Sequence, residues 1–137
     1  MERINVCEST YVYVFDELRP YQTTVTVLLR PARAFVFDTF LGERYMRAIF
    51  SELFGACNGR DLGVINSHAH FDHVWGNSYF SGSPIVGSAL CRETMLAQWD
   101  AQRERYRAYA ESGLTCRPPD LLITEPLAYA ADGVTIF

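Results

Sequence analysis

All three histidines of the 137-residue chain fall within residues 67–73 (SHAHFDH), and this cluster constrains the fold more than any other feature. An apolar run at residues 62–66 comes directly before it and is predicted to form a buried strand. Because consecutive side chains of an extended segment point to opposite sides, His68 and His70 should project together. The chain must therefore fold so that a buried strand delivers two imidazoles to one place.

Strands and a helix are predicted on the N-terminal side of this cluster. Residues 11–15, 23–29 and 34–38 are rich in β-branched and aromatic side chains, and their short connections make them antiparallel neighbours. Residues 43–57 are predicted to form a helix, because apolar side chains recur on one face. Those side chains are Tyr45, Met46, Ile49, Phe50, Leu53 and Phe54.

Further strands and a long helix are predicted after the cluster. Residues 84–87, 121–124 and 134–137 are predicted strands, and residues 89–112 are a predicted helix. The apolar side of that helix is formed by Leu96, Trp99, Tyr106 and Ala110. Together these elements predict the α/β class (α+β in the strict sense), with helices packed on a sheet.

The histidine cluster has the chemistry of a metal site. Two imidazoles at positions i and i+2 can converge on one ion at ~2.0–2.1 Å each. Asp72 and His73 follow where the chain should turn into a short helix, and the helix N-terminus favours an aspartate there. Imidazole and carboxylate together suit Zn, Mn or Fe. A lone histidine ordinarily has a packing role, but three beside an aspartate favour metal binding.

Composition argues against several other classes of protein. The net charge is −4 and the basic residues form no extended patch, so no nucleic-acid partner is expected. The four cysteines contain no CxxC pair, so neither a zinc ribbon nor a disulfide framework is predicted. Neither a signal peptide nor an apolar run of ~18 residues is seen, so we expect a cytoplasmic protein without membrane association; a mature secreted form whose signal has been removed is the alternative.

Residues 68–73 form an HxHxDH motif, which with Gly76-Asn77 closely resembles the signature of the metallo-β-lactamase superfamily. The order of three strands, a helix and a strand leading into the motif is similar to the N-terminal half of that αββα sandwich. Asp38 matches the acidic residue that usually ends the equivalent strand. The resemblance covers residues 11–90 and extends into the next helix, and it implies mainly the βββαβ half of the fold.

The resemblance also implies a reaction and the residues that perform it. His68 and His70 would bind the first metal ion, and Asp72 and His73 the second. Two Zn²⁺ ions are expected, with Fe or Mn as alternatives. A metal-activated hydroxide, oriented by Asp72 as the catalytic residue, would hydrolyse an ester, thioester, lactam, lactone or phosphodiester bond of a small-molecule substrate.

The sequence departs from the family in its second half. No further histidine is present, so the motif supplies two protein ligands per ion where a catalytic zinc normally has three. The full sandwich commonly needs ~200 residues, so residues 1–137 are expected to form a single domain truncated at its C-terminus. Half a sandwich would expose an apolar sheet face and favour a homodimer. Two alternatives stay open: a catalytically incomplete fragment acting as a weak metal-binding or interaction module, and a di-iron redox member of the same fold.

Overall fold

The structure, a computed structural model, describes all of residues 1–137 and contains a seven-stranded mixed sheet. The strands lie side by side in sequence order: β1 Glu2–Cys7, β2 Thr10–Phe15, β3 Thr23–Leu29, β4 Arg33–Phe37, β5 Asp61–Ile65, β6 Ile85–Gly87 and β7 Leu121–Leu122. Strands β1 to β4 are antiparallel, as their short connections require, and β4 to β7 are parallel. The mixed α/β class and the shared sheet predicted from the sequence are confirmed.

Helical segments make the longer connections of this sheet. They are α1 Glu43–Glu52, α2 Phe54–Cys57, α3 Phe71–Val74, the 3₁₀ segment Trp75–Phe80 and α4 Ala89–Arg105. Because each connection crosses over the sheet before the next strand begins, that strand can run parallel to the one before it. The carboxyl ends of β4, β5 and β6 therefore meet at one edge.

The helix predicted over residues 43–57 is divided in the structure. Leu53 is buried and lies between α1 and α2 with a backbone conformation outside the helical range. Phe54, predicted on the apolar face, is 73% exposed. Gly55 follows it, and glycine weakens a helix by about 1 kcal/mol relative to alanine. The apolar periodicity therefore holds through Leu53 and fails beyond it.

The helix predicted over residues 89–112 ends at Arg105. Tyr106 leaves helical geometry and stacks on Phe71 of the histidine segment, with ring centroids 3.8 Å apart. Leu96, predicted on the packed side, is exposed. The helix thus ends where an aromatic side chain packs against the histidine segment.

Strand β1 was not predicted from the sequence. Every residue of Glu2–Cys7 is exposed, so the strand carries no alternation of buried and exposed side chains. It forms the sheet edge by pairing with β2, and it shows a register shift between Asn5 and Cys7. Backbone pairing without burial leaves little signal in a sequence.

The main hydrophobic core lies between one face of the sheet and the helices. Alternate residues of β3, from Thr23 to Leu29, are buried on this face. Phe15 stacks on Phe40 with ring centroids 4.0 Å apart. The connections between the parallel strands contribute Met46, Ile49, Leu53, Phe71, Val74, Trp75, Cys91 and Met95. This core fixes the sheet and the helices that carry the histidine segment.

The opposite face of the sheet is covered at its centre by a hairpin, β8 Leu127–Tyr129 and β9 Val134–Ile136. Phe35, Ile65 and Val86 are buried beneath it. The apolar face expected to be open is therefore covered in part. Apolar surface remains at the β7 edge, where both leucines are exposed.

Asp132, which is 1% exposed, joins this hairpin to the turn between β3 and β4. Its carboxylate accepts hydrogen bonds from the Ala32 N–H at 2.9 Å and from Arg33 at 3.0 Å. Its backbone oxygen accepts from Arg30 Nε at 2.6 Å. Burial alone would raise the pKa of Asp132, but the bonds from Ala32 and Arg33 outweigh it and lower the pKa below its ordinary value.

We expect acid to release this hairpin. Because the folded state favours the carboxylate, the contribution of Asp132 to stability is complete above about pH 4 and is lost as the pH falls through its lowered pKa. Asp132→Asn should weaken the hairpin contact already at pH 7, raising amide hydrogen exchange of residues 127–136 about tenfold or more. Thr135→Asn, at an exposed position of β9, is the matched control. Equal protection in the wild type and Asp132→Asn, at pH 7 and in acid, would show that this carboxylate does not hold the hairpin.

None of the helices is both long enough and apolar enough to cross a membrane.

The four cysteines, Cys7, Cys57, Cys91 and Cys116, are all free thiols. Burial, followed by the negative charge of Asp38, raises the pKa of Cys91 to about 11.

Candidate metal centre

The histidine segment begins where β5 ends, at the edge where the parallel strands have their carboxyl ends. Asp38 follows β4 at the same edge, and Ser88 follows β6. This edge is where open α/β sheets commonly bind ligands, because loops from neighbouring strands meet there. Residues far apart in the sequence are brought together at this point.

The three imidazoles are close neighbours. The ring centroids of His68 and His70 lie 4.8 Å apart, and those of His68 and His73 lie 4.1 Å apart. Ala69 and Phe71 are buried on the other side, so the alternation predicted for the segment is present. The sequence thus folds locally as an extended run that gathers its histidines on the open side.

Asp72 and His73 lie in the first turn of α3, as the sequence predicted. Asp72 Oδ2 accepts a hydrogen bond from the Thr23 hydroxyl at 2.7 Å and lies 3.5 Å from His73 Nε2. The second distance is long for a hydrogen bond. It is close to the ~3.4 Å that separates two ligands bound at ~2.1 Å to one tetrahedral ion.

Asp38 connects the ends of β4 and β5 through its carboxylate. It accepts hydrogen bonds from the Ser67 N–H at 2.8 Å, the Ser67 hydroxyl at 2.7 Å and His73 Nδ1 at 2.8 Å. Its φ of 59° lies in the left-handed region, which aspartate tolerates better than most residues. The strand end is therefore shaped so that one carboxylate reaches both the serine and the histidine.

These bonds fix which histidine nitrogens carry protons. The Ser67 hydroxyl donates to Asp38, so its oxygen is left to accept from His68 Nδ1, 2.9 Å away. His73 Nδ1 likewise donates to Asp38. His68 and His73 thus both carry the Nδ1 proton, and each keeps a lone pair on Nε2 for a metal ion. The sequence had pointed to Asp38 by family resemblance, but the role of Ser67 was missed.

The two histidines differ in their affinity for protons. Burial, followed by repulsion from His73 and His70, lowers the pKa of His68. Burial also opposes protonation of His73, but the hydrogen bond and charge of Asp38, with the charge of Asp72, outweigh it and raise the pKa. His68 is therefore the readier metal ligand, whereas His73 must give up a more tightly held proton.

A buried amide pair holds the histidine segment from behind. Asn77 Nδ2 donates to Asn66 Oδ1 at 2.8 Å, and Asn66 Nδ2 donates to Asn77 Oδ1 at 3.1 Å. Asn77 also donates to the backbone oxygen of Arg117 at 2.9 Å, and the Thr39 hydroxyl lies 2.8 Å from Asn77 Oδ1. Asn77, noted in the sequence beside Gly76, therefore supports the histidine segment from behind through its side-chain amide.

Gly76 lets the backbone after α3 approach the loop after β4. A Cβ placed at Gly76 would lie 2.1 Å from the Thr39 backbone oxygen and 3.0 Å from Met46 Cγ. Thr39 N–H in turn donates to the His73 backbone oxygen at 2.8 Å. Only glycine fits here, and its close contact keeps Asp38 in reach of His73.

Two adjoining cavities open beside the imidazoles. One, of about 320 Å³, is lined by His68, His70 and the first half of α4. The other, of about 200 Å³, is lined by His70 and the second half of α4. His70 and Gln98 belong to both, so the two cavities form one groove along α4.

The side chains are of the types that bind a divalent metal ion, but too few of them converge to complete a site. Imidazole and carboxylate donors lie within one cluster, and two of the imidazoles present Nε2 lone pairs. No group of three His, Cys, Asp or Glu side chains converges closely enough to hold one ion. The assignment of His68 with His70 to one ion, and of Asp72 with His73 to a second, stays a prediction from the family resemblance.

The contacts of Asp120 direct its carboxylate away from the histidine cluster. Its carboxylate accepts from the Ile85 N–H at 3.2 Å and pairs with Arg117 at 3.2 Å. Ile85 begins β6, at the end of that strand opposite Ser88 and the histidines. The carboxylate is engaged at the other edge of the sheet.

The protein therefore combines a mixed sheet, helices on one face and a His/Asp cluster at the carboxyl ends of the parallel strands. A family model described as the metallo-beta-lactamase superfamily matches residues 18–135. The chain belongs to this superfamily, whose members generally bind divalent metal ions. The match extends beyond residues 11–90, where the sequence resemblance was strongest. No curated protein matches the chain.

Solved structures carry the same fold. The metallo-beta-lactamase from Pontibacter korlensis is 14% identical with a TM-score of 0.71, over 98% of this chain and 57% of its own. The metallo-beta-lactamase from Hirschia baltica is 14% identical with a TM-score of 0.68, and the match covers 93% of this chain and 56% of that one. DIM-1 metallo-beta-lactamase exposed to ceftazidime is 14% identical with a TM-score of 0.63, over 89% and 51%. The chain thus spans little more than half the length of these proteins.

Proposed function

We propose that the chain carries the metal-binding part of a metal-dependent hydrolase, with zinc as its ion. His68 and His70 would hold one ion, and Asp72 and His73 a second. The observation that carries the proposal is the 3.5 Å separation of Asp72 Oδ2 and His73 Nε2, the spacing of two ligands on one ion. The Asp38 contacts support it, since they keep two imidazoles in the tautomer that binds metal through Nε2.

The residues around the site have distinct roles in this proposal. When bound, a divalent ion acts as a Lewis acid on a carbonyl or phosphoryl group and lowers the pKa of a water molecule. Asp72, whose Oδ2 is held by the Thr23 hydroxyl, would orient that water and take up its proton. Asp38 and Ser67 would hold His68 and His73 in place while this happens.

The proposed substrate is a small molecule with an ester, thioester, lactam, lactone or phosphodiester bond, and the proposed compartment is the cytoplasm. Each pair of donors is one short of the three protein ligands usual for catalytic zinc. We propose that the remaining ligands come from outside these 137 residues. A second copy of the chain is one candidate source, because Leu121 and Leu122 leave apolar surface at the sheet edge.

Zinc stoichiometry tests this proposal directly. Equilibrium dialysis with metal analysis should find weak binding of two zinc ions per wild-type chain, because each ion has two protein ligands. His70→Ala and Asp72→Ala should each remove one ion and leave the other, with a loss of about 100-fold or more at the altered site. Leu96→Ala, at an exposed position of α4, is the control. Zinc-dependent hydrolysis of model esters and lactams should be slow and should fall further in His70→Ala.

Other metal contents would favour the alternatives. If both variants lose all zinc together, the four residues form one mixed site and the paired arrangement is wrong. Stoichiometric iron in the purified chain would favour a di-iron redox role. A chain that binds no divalent metal would contradict the predicted weak binding and would favour the interaction module over the hydrolase.

A further inference from the structure

The groove beside the histidines contains one fixed charge. Its two cavities are lined by His68, His70 and otherwise uncharged side chains, with Arg105 as the exception. Gln98 and Gln102 line the same cavity as His70 and this arginine. A single cation in a groove of amide, hydroxyl and apolar groups is suited to select a negatively charged group on a ligand.

Arg105 differs from the arginines two positions before and after it in having no carboxylate partner. Arg103 pairs with Asp100 at 3.3 Å, and Arg107 pairs with Glu104 at 2.7 Å. These two arginines form local ion pairs on the solvent side. Of the three arginines, only Arg105 lines the groove, and its guanidinium group forms no ion pair with a carboxylate of the protein.

Arg105 is also positioned relative to the histidine segment. Its guanidinium carbon lies 5.3 Å from the centre of the Tyr106 ring. Tyr106 stacks on Phe71 at 3.8 Å with the ring planes 11° apart, and Phe71 lies between His70 and Asp72 in the sequence. The cation is therefore held by a stack of side chains that begins in the metal-binding motif.

The position of Arg105 at the end of α4 offers a simpler explanation, which the experiment must exclude. A cation in the last turn of a helix is favoured by the helix dipole, whatever else it does. That attraction leaves the five N–H donors of the guanidinium available. It would also apply to Arg103, which lies in the same turn and does not line the groove.

We propose that Arg105 is an anion-binding subsite that selects substrates with a carboxylate or phosphate group at a distance from the bond that is cleaved. The proposal rests on the proposed function for the location of the cleaved bond, but the subsite itself requires no metal. The side-chain oxygen of Gln98 accepts a hydrogen bond from Gln102 at 3.3 Å, which leaves the Nε2 group of Gln98 free to donate to the same anionic group. The aromatic wall of Phe71 and Tyr106 would contact the apolar part of the substrate.

Binding without metal tests the subsite alone. In nitrogen–proton NMR titrations of the zinc-free chain, phenylacetate and phenyl phosphate should shift the amide signals of Gln98, Gln102 and Arg105 in a saturable way. The neutral analogue phenylacetamide should bind at least about tenfold more weakly. Arg105→Ala should weaken binding of the anions about tenfold, Arg105→Lys should restore part of it, and Arg103→Ala should have no effect. The tighter of the two anions identifies the group that the subsite prefers.

Three results would overturn the subsite: equal binding of phenylacetamide, equal losses in Arg103→Ala and Arg105→Ala, or no binding by the wild type.

A second assay separates this proposal from the hydrolase proposal. With zinc, Arg105→Ala should raise KM for mono-4-nitrophenyl glutarate but not for neutral 4-nitrophenyl butyrate. If neither ester is hydrolysed while Arg105-dependent binding persists, the hydrolase proposal fails and the subsite is supported. If both are hydrolysed with unchanged KM in the variant, the subsite is wrong and the hydrolase proposal stands.

Discussion

Asp38→Asn should leave the fold largely intact and remove most of the affinity of the chain for zinc. Asparagine tolerates the left-handed backbone at this position, and its side-chain oxygen can still accept from the Ser67 N–H. Its NH₂ group, however, would replace the carboxylate oxygen that receives protons from Ser67 and His73. A donor would then face two donors, so each partner must either turn away or accept in place of donating.

The consequence for metal binding follows from the tautomers. Facing an NH₂ group, His73 would accept on Nδ1 and carry its proton on Nε2, the atom nearest Asp72. His68 would lose the oriented serine that accepts its Nδ1 proton. Changes to groups that orient metal-ligating histidines typically cost ~10–100-fold in affinity, and here one carboxylate orients two of them. We therefore expect the upper end of that range, measured by competition with a zinc chelator.

Two further variants separate orientation from stability. Asp38→Ala loses all three accepted bonds and forces alanine into a left-handed conformation, so unfolding should become easier by about 3 kcal/mol or more in urea titrations. Asp61→Asn removes a carboxylate at the start of the next strand, where it is exposed and 3.9 Å from Arg33, and should change neither property. Zinc affinity in Asp38→Asn equal to that of Asp61→Asn would show that the carboxylate does not orient the histidines.

The sequence predicted those parts of the fold that depend on burial. The inward residues of β3 alternate with outward ones, and α1 places Met46 and Ile49 on its buried face. Burial gives such elements a period that can be recognised without coordinates. Strand β1 is exposed throughout, and α4 ends where Tyr106 stacks on Phe71. Neither property has a local period, so neither was predicted.

The sequence predicted the candidate site to about the same extent as the fold. His68, His70, Asp72 and His73 lie in one short segment whose residue types carry the chemistry themselves. The residues that orient them come from elsewhere in the chain, and their types are ordinary. A serine before a histidine, or a threonine at the start of β3, indicates a role only once the fold brings Ser67 to Asp38 and Thr23 to Asp72. Contacts across 29 and 49 positions cannot be obtained from spacing within a motif.

Gly76→Ala should destabilise the chain more than any surface change, by about 3 kcal/mol, the upper end of the range for overpacking. The added Cβ would lie 2.1 Å from a backbone oxygen of Thr39, which cannot rotate away as a side chain can. Relief requires the loop after β4 to move, and that loop carries Asp38. The same methyl group at Gly55 meets nothing within 4 Å and lies in a short helix, so Gly55→Ala should be neutral or slightly stabilising.

The measurement is urea-induced unfolding of both variants, with zinc affinity determined on whatever folded protein is obtained. If Gly76→Ala is insoluble while Gly55→Ala is not, the close approach is required for folding. If it folds, its zinc affinity should fall together with its stability, because the Thr39–His73 bond and the Asp38–His73 bond tie the same backbone segments. A Gly76→Ala variant as stable as Gly55→Ala would mean that the loop accommodates a side chain here. In that case the loop would be too compliant to position Asp38, and the orientation of His68 and His73 would have to come from the metal itself.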